Sequence, residues 1–313
     1  MDFIPKDRIL ETKPDTLEYI RKQYNLNKPG QMKEAVNILS DWVQKQNHFK
    51  KKDFSKHYYE STLIACKGSI ERAKSMIDKM CTMRTLLPQF FGNYNLKTDF
   101  GNLHKTICVT LLPKQTDDHY RVELIKCNDT DVKSFQFMDY FRSNVILTEY
   151  FKVHDYSTRI IIVLDFSGSN IMDYISKLNI VEMKQAMTIY MEGYGMRIKA
   201  IHIITTSKLI DTILSIAKKV LNKKVAERVY IRKTIQELYE HIPKHILPRE
   251  YGGEERPLNE LQREWLEALT SEEHVKYMLE INEACTDENY RQKDKFNENF
   301  TAMAGTFRLL TID

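Results

Sequence analysis

Apolar residues in the first third of the chain return at three- and four-residue intervals. Over residues 31–46 the stripe is Met32, Ala35, Val36, Leu39, Trp42 and Val43, with Pro29 and Gly30 punctuating just before it. That spacing predicts one buried face of a helix. Residues 54–66 continue with a noisier helical pattern. Gly68 and Ser69 interrupt it, and Ser69 suits the N-cap of the next helix. That helix presents Ile70, Ala73, Ile77, Met80 and Cys81 on one face and runs to about Arg84. LLPQFF then closes an all-helical third in which no catalytic chemistry is visible.

Near residue 96 the period changes. Residues 106–112 and 120–127 read as strands joined by a polar turn containing Asp117 and Asp118. Residues 132–153 read as a long helix with Phe137, Phe141, Val145 and Thr148 on one side. RIIIVLDF (159–166) and RIKAIHIITT (197–206) are near-continuous apolar runs, the pattern of strands buried on both faces. A helix over 171–190 separates them, and an amphipathic helix over 208–221 follows. A short strand at 228–232 and a helix at 234–242 complete the alternation. Strands and helices alternating at this spacing predict βαβ units, hence an α/β fold with a mainly parallel sheet. After Tyr251, Gly252 and Gly253 the chain reads as polar and helical to about Ile281. It ends in GTFRLLTID, which reads as extended coil or strand.

Of 313 residues, 42% are hydrophobic and 11% aromatic, enough for a sizeable core. The five cysteines, Cys66, Cys81, Cys108, Cys127 and Cys285, are widely spaced and form no C-x-x-C, which points to free thiols in a reducing compartment. The opening MDFIPKDRILETKPD has acids and no apolar core, so it is not expected to be a secretory signal. No run approaches the roughly 20 apolar residues of a spanning helix. A cytoplasmic protein that meets membranes from the water side is expected.

The net charge of +4 is unevenly placed. Residues 197–233 hold ten Lys/Arg and two acids, a local +8, which leaves −4 for the remainder. One basic sector on a mildly acidic chain implies a localised anionic partner. Within it, 208–221 divides into an apolar stripe (Ile210, Ile213, Leu214, Ala217, Val220, Leu221) and a polar face carrying Lys208, Asp211, Lys218 and Lys219. Such a helix either packs on a core or serves as a lid that can turn its apolar face to a bilayer. Arg197 and Lys199, two apart on a strand, are expected to project together, with Ile198 opposite. Lys224 and Arg228 are four apart, as on one helical turn. These are suitable donors for phosphate.

Enzyme signatures are missing from the sequence. There is no P-loop, no complete dinucleotide fingerprint around Gly193 and Gly195, and no H-E-x-x-H. Ser167 and Ser169 follow a strand but lack the glycine flanks of a nucleophile elbow, so an ordinary turn is the better reading. His202, mid-strand among isoleucines, reads as a hydrogen-bonded core histidine. Cys108 and Cys127 read as inert thiols. A nucleic-acid binder is disfavoured, because Tyr230 alone among aromatics interleaves the basic residues.

The stretch RIKAIHIITT…KKVAERVYIRK…HILPREYGGE, with its L-P-x-E-Y-G-G ending, resembles the CRAL-TRIO lipid-binding family, in particular its tocopherol- and retinaldehyde-carrying branch. IERAKSMIDKMCTMRTLLPQFF resembles the family's N-terminal helical domain, and GTFRLLTID resembles the tail of its insect members. The resemblance implies a helical N-terminal domain (1–95), a lipid-binding domain (96–255) whose sheet floors a pocket under a helical lid, and a helical or extended tail (256–313). It implies no catalysis, no metal and no cofactor beyond a bound lipid cargo. A monomer is expected.

The resemblance also implies site residues. A phosphoinositide-binding cleft falls on Arg197, Lys199, Lys224 and Arg228. Pocket walls fall on Phe141, Val145 and Thr148 of the long helix and on Ile160 and Leu164 of the next strand. Further walls are Ile189, Tyr190, Tyr194, Met196, Ile198 and Ile201. The lid, about 205–228, would turn Ile210, Ile213, Ile216, Val220 and Leu221 to the ligand, and Thr148 or Tyr190 would meet a polar head. Relatives carry a basic L-R-F-L-R-A-type run where this chain has YESTLIACKGS, which puts one cationic contact in doubt. The implied function is exchange of a small hydrophobic lipid, tocopherol-like or retinoid-like, at phosphoinositide membranes. The alternative is a phosphoinositide-binding scaffold without cargo.

Overall fold

Ser69 caps as its position predicts: its side chain accepts from the Arg72 amide and opens a 17-residue helix. The computed structural model describes residues 4, 6–128 and 130–291. Four helices form the N-terminal part: α1 (Thr16–Gln23), α2 (Gln31–Gln44), α3 (Lys56–Ala65) and α4 (Ile70–Leu86). The α2 stripe buries Met32, Ala35, Val36, Leu39 and Val43 against α3 and α4.

The remainder is a mixed α/β fold around one five-stranded sheet. Its strands are β1 (Ile107–Leu111), β2 (Arg121–Cys127), β3 (Ile160–Asp165), β4 (Ile198–Ile204) and β5 (Val229–Arg232), in the order β1-β2-β3-β4-β5. β1 pairs antiparallel with β2, and the other three pairings are parallel. One helical turn, α5 (Leu103–Thr106), leads into β1. The crossovers carry α6 (Phe137–His154) after β2, then α7 (Ile171–Ile175) and α8 (Ile180–Thr188) after β3. After β4 come α9 (Ile210–Val220) and α10 (Lys223–Ala226). Helices α11 (Leu258–Leu269) and α12 (Glu272–Asn282) return over β1 and α6. The indole of Trp265 donates to the Leu111 carbonyl at 2.8 Å.

Each sheet face has its own cover. Val122, Leu124, Ile161, Val163 and Ile204 pack under Leu238, Ile242, Leu247, Tyr251 and Leu261. The L-P-R-E-Y-G-G turn locks this layer. Tyr251 donates its hydroxyl to Asp165, and Gly252 sits at φ 67° with the Tyr239 hydroxyl where a Cβ would lie. A Cβ on Gly253 would overlap the Leu247 carbonyl, so only glycine fits there.

Several elements differ from their sequence expectation. The helix expected from residue 132 starts at Phe137, after a 3₁₀ turn at Val132–Ser134. The helix expected over 171–190 is split, because the side chains of Asn170 and Asn179 each cap a new start. It then ends in a single π turn, Ile189–Gly193. The helix expected over 234–242 shrinks to a 3₁₀ turn, Ile235–Leu238. GTFRLLTID lies outside the described residues.

Candidate functional site

The second sheet face carries an apolar cavity of about 210 Å³. Its floor is Ile125 and Cys127 of β2, Ile162 and Leu164 of β3, and Ile198, Ile201 and Ile203 of β4. Ile198 and Ile201 share this face although they are three apart. The β3–β4 register skips Lys199, pairing Ile160 with Ile198 and Ile161 with Ala200. The bulge shifts the alternation by one residue. Phe137 and Tyr140 of α6, Tyr174 and Ile175 of α7, and Met183 and Met187 of α8 form the walls.

Helix α9 roofs the cavity with Ile213, Ile216 and Ala217, and Leu221 follows just beyond it. The opposite face of α9, with Asp211, Thr212, Lys218 and Lys219, is exposed. Short joints flank the helix. On one side Ser207 receives the Leu209 amide at 3.2 Å. On the other, Leu221 is extended and Asn222 caps α10 by accepting from Val225 at 3.0 Å. The geometry is that of an amphipathic cover joined at both ends by short loops.

The sequence-derived pocket residues divide into groups. Leu164, Ile198, Ile201, Ile213, Ile216 and Leu221 line the cavity. Phe141, Val145, Ile189 and Tyr190 do not. They form a separate buried cluster with Met80, Met83, Phe90 and Phe91, because the middle of α6 and the π turn face the N-terminal helices. Thr148, Ile160, Tyr194 and Met196 line a smaller cleft of about 70 Å³ beside Arg159 and Arg197. Ile210 and Val220 are half-buried outside the cavity. Neither expected polar anchor is free. The Thr148 hydroxyl donates to the Asn144 carbonyl at 2.7 Å, and the Tyr190 hydroxyl to the Phe141 carbonyl at 2.9 Å. Sequence reasoning missed Ile162 and Ile203, which strand periodicity could have supplied. It also missed Met183 and Met187, for which α8 offered no distinct signal.

A cluster of cations stands at the edge of β4. The Arg197 guanidinium lies 5.1 Å from the Tyr24 ring and donates to the Ile64 carbonyl at 3.3 Å. Lys199, the bulged residue, is exposed, with its ammonium 5.6 Å from the Tyr120 ring. Arg159 approaches the same ring at 5.8 Å. Arg197 and Lys199 therefore reach different rings and do not project as a simple pair. Arg228 donates to the Ile198 carbonyl at 2.5 Å, and Lys224 is exposed on α10.

Lys67 joins this cluster from the turn between α3 and α4, where its φ is 56°. Its amine is held below the ordinary lysine range, chiefly by the charge of Arg197, with burial, Lys224, Arg72 and Arg159 adding. A lysine depressed by like charges marks cations gathered without enough counter-charge. Lys67 lies within YESTLIACKGS, the run whose lack of arginines had put a contact in doubt.

His202 accepts from the Arg232 Nε at 3.2 Å and stacks on Tyr230 and His241. Burial pushes its pKa down to about 4. Ser167 lies in a turn closed by its amide on Asp165 at 2.8 Å. Burial raises the thiols of Cys108 and Cys127. Among the described residues no His, Cys, Asp or Glu cluster is placed to hold a metal, and no helix is long and apolar enough to cross a membrane.

This lidded α/β architecture has counterparts. Residues 105–253 match the CRAL/TRIO domain, and residues 28–99 match the Pinta-like UBA domain. The chain thus contains a CRAL/TRIO-type region at residues 105–253. It is similar to the mouse alpha-tocopherol transfer protein-like protein, with 24% identity over 262 residues, 82% of this chain and 76% of that one. The human protein of the same description is 24% identical over 230 residues, 72% of this chain and 66% of its own length. The crystal structure of Sfh5 shares the fold, with a TM-score of 0.51 and 11% identity over 87% of this chain and 98% of that one.

Proposed function

We propose that the protein carries one small hydrophobic lipid in the cavity under α9 and exchanges it at membranes bearing anionic, phosphoinositide-type headgroups. The carrying observation is the cavity itself. It is walled almost wholly by hydrocarbon and roofed by a helix that is apolar inside and charged outside. A ligand burying about 300 Å² of apolar surface there would gain roughly 7 kcal/mol at 25 cal/mol per Å². The similarity to alpha-tocopherol transfer protein-like proteins supports the same reading.

Exchange requires the roof to open. Lys67, Arg197, Lys199, Lys224 and Arg228 are the groups that would engage phosphates, and Lys224 and Arg228 follow shortly after the roof helix. Met172 of α7 and Val181 of α8 are 46% and 49% exposed on the helices that wall the cavity, and they offer apolar footing in a bilayer. Headgroup contact would favour the open roof and shift the population towards release.

Vesicle-to-vesicle transfer of fluorescent tocopherol and retinoid analogues tests this. Transfer should accelerate when acceptor vesicles contain phosphoinositide. Phosphoinositide binding without transfer of any apolar probe would instead favour a scaffold without cargo.

A further inference from the structure

Glu123 stands on the cavity side of the sheet. It lies two residues before Ile125 on β2 and opposite Ile162 on β3, and both neighbours line the cavity. Its side chain belongs to a residue 3% exposed. Among the described residues no cation acts on it. Burial pushes its carboxyl up to about 7, and a hydrogen bond from Asn144 opposes that rise. A buried acid without a cation protonates rather than bear the desolvation cost, and then it offers both a donor and an acceptor.

Asn144 ties this acid to the cavity wall. Its Nδ2 donates to Glu123 Oε1 at 3.2 Å and to the Tyr140 hydroxyl at 3.1 Å. The Tyr140 side chain lines the cavity. Among the described residues its hydroxyl accepts from Asn144 and donates to no acceptor. The other cavity tyrosine, Tyr174, spends its hydroxyl on the Asn128 carbonyl at 2.7 Å and the Thr106 carbonyl. The titratable groups around Glu123 are Tyr140 and Tyr190, and burial holds both neutral. The Tyr140 phenol on the wall of a hydrocarbon cavity, with spare hydrogen-bonding capacity, is thus backed through Asn144 by a buried acid.

We propose that Glu123, Asn144 and Tyr140 form a head-group subsite that selects apolar lipids ending in one uncharged hydrogen-bonding group, a hydroxyl, aldehyde or amide, over lipids ending in a carboxylate. The proposal rests on the cargo reading above and names its ligand class. An uncharged head can accept from Tyr140, whose orientation Asn144 and Glu123 fix from behind, and a hydroxyl or amide can also donate. A carboxylate head would be buried beside an acid with no cation to offset it.

The test uses the full chain at pH 6.5 and four C18 probes: 1-octadecene, oleyl alcohol, oleamide and oleate. Competition is read by native mass spectrometry. The wild type should prefer the alcohol and the amide to both octadecene and oleate by tenfold or more. Glu123→Leu should reduce alcohol and amide to the octadecene level while octadecene binding is unchanged, which also shows that the variant is folded. Glu123→Gln, still a donor and acceptor, should retain the preference. Binding of all four probes without discrimination, or a preference for alcohol that survives in Glu123→Leu, overturns the subsite and leaves the cargo reading standing. Failure of every probe, octadecene included, overturns both.

Discussion

The Arg84 guanidinium meets the Glu149 carboxylate at 2.5 Å, and each side chain is only 1% exposed. Glu149 also accepts from the Tyr194 hydroxyl at 2.7 Å and the Tyr277 hydroxyl at 2.8 Å. One carboxylate therefore ties α4, α6, the segment before β4 and α12 together. Removing one member leaves an uncompensated buried charge, whereas removing both charges while keeping an acceptor for the two tyrosines leaves none. Glu149→Gln is predicted to cost about 3–5 kcal/mol in urea unfolding. The double variant Arg84→Met, Glu149→Gln, which keeps an acceptor for both tyrosines, should recover most of that loss.

Glu123 makes a signed prediction about pH. Its folded pKa of about 7 lies above the ordinary 4.5, so the native state holds the proton more tightly than the unfolded chain. Its contribution is therefore favourable at low pH and is lost as pH rises from about 4.5 through 7. Burial pushes His57, His202 and His274 down to about 4, and these act oppositely, losing stability as pH falls below 6.5. Subtracting the Glu123→Gln curve isolates the glutamate. Between pH 5 and 8 the variant should gain roughly 2–3 kcal/mol on the wild type in denaturant unfolding.

The cation cluster predicts a graded loss. Each basic residue near an anionic surface contributes about 1 kcal/mol. Lys67→Ala should weaken sedimentation with phosphoinositide vesicles about fivefold. The triple variant with Arg197→Ala and Lys224→Ala should weaken it a hundredfold or more, with less salt dependence. Urea midpoints should stay unchanged for Lys67→Ala and Lys224→Ala. Arg228→Ala should lower the midpoint as well, because its guanidinium bonds the Ile198 carbonyl within the sheet.

Filling the cavity should separate folding from loading. Ile216 lines it from α9 and is only half-buried. Ile216→Trp should cut lipid loading tenfold or more while leaving the far-UV spectrum and the urea midpoint close to wild type.

What was legible in the sequence follows the physics of each element. The β3 and β4 runs and the α9 stripe could be read because their periods report burial directly. The stripe supplied Ile213 and Leu221, whereas Leu164, Ile198, Ile201 and Ile216 were implied as pocket residues only by the family resemblance; all six line the cavity. The rotation of α6 was not legible. Phe141 and Val145 are as apolar as Phe137, and only the packing of Met80 and Phe90 decides which of them turn to the N-terminal helices. The π turn that places Tyr190 and Tyr194 leaves no period to read. It rests on Gly193 and Gly195, where a Cβ would collide with Met80 on one side and with Met76 and Ala65 on the other. Glu123 was passed over because an acid inside RVELIKC reads as a solvent-facing position until its neighbours are known. Lys67 was hidden for a similar reason, since its partners lie far away in sequence.

Native mass spectrometry of the purified full chain, followed by organic extraction, reads directly whether the cavity carries a lipid. Carriage in the cavity predicts one apolar lipid per chain, lost in Ile216→Trp. A cavity that is empty on purification and refuses tocopherol, retinaldehyde and oleyl alcohol would contradict it.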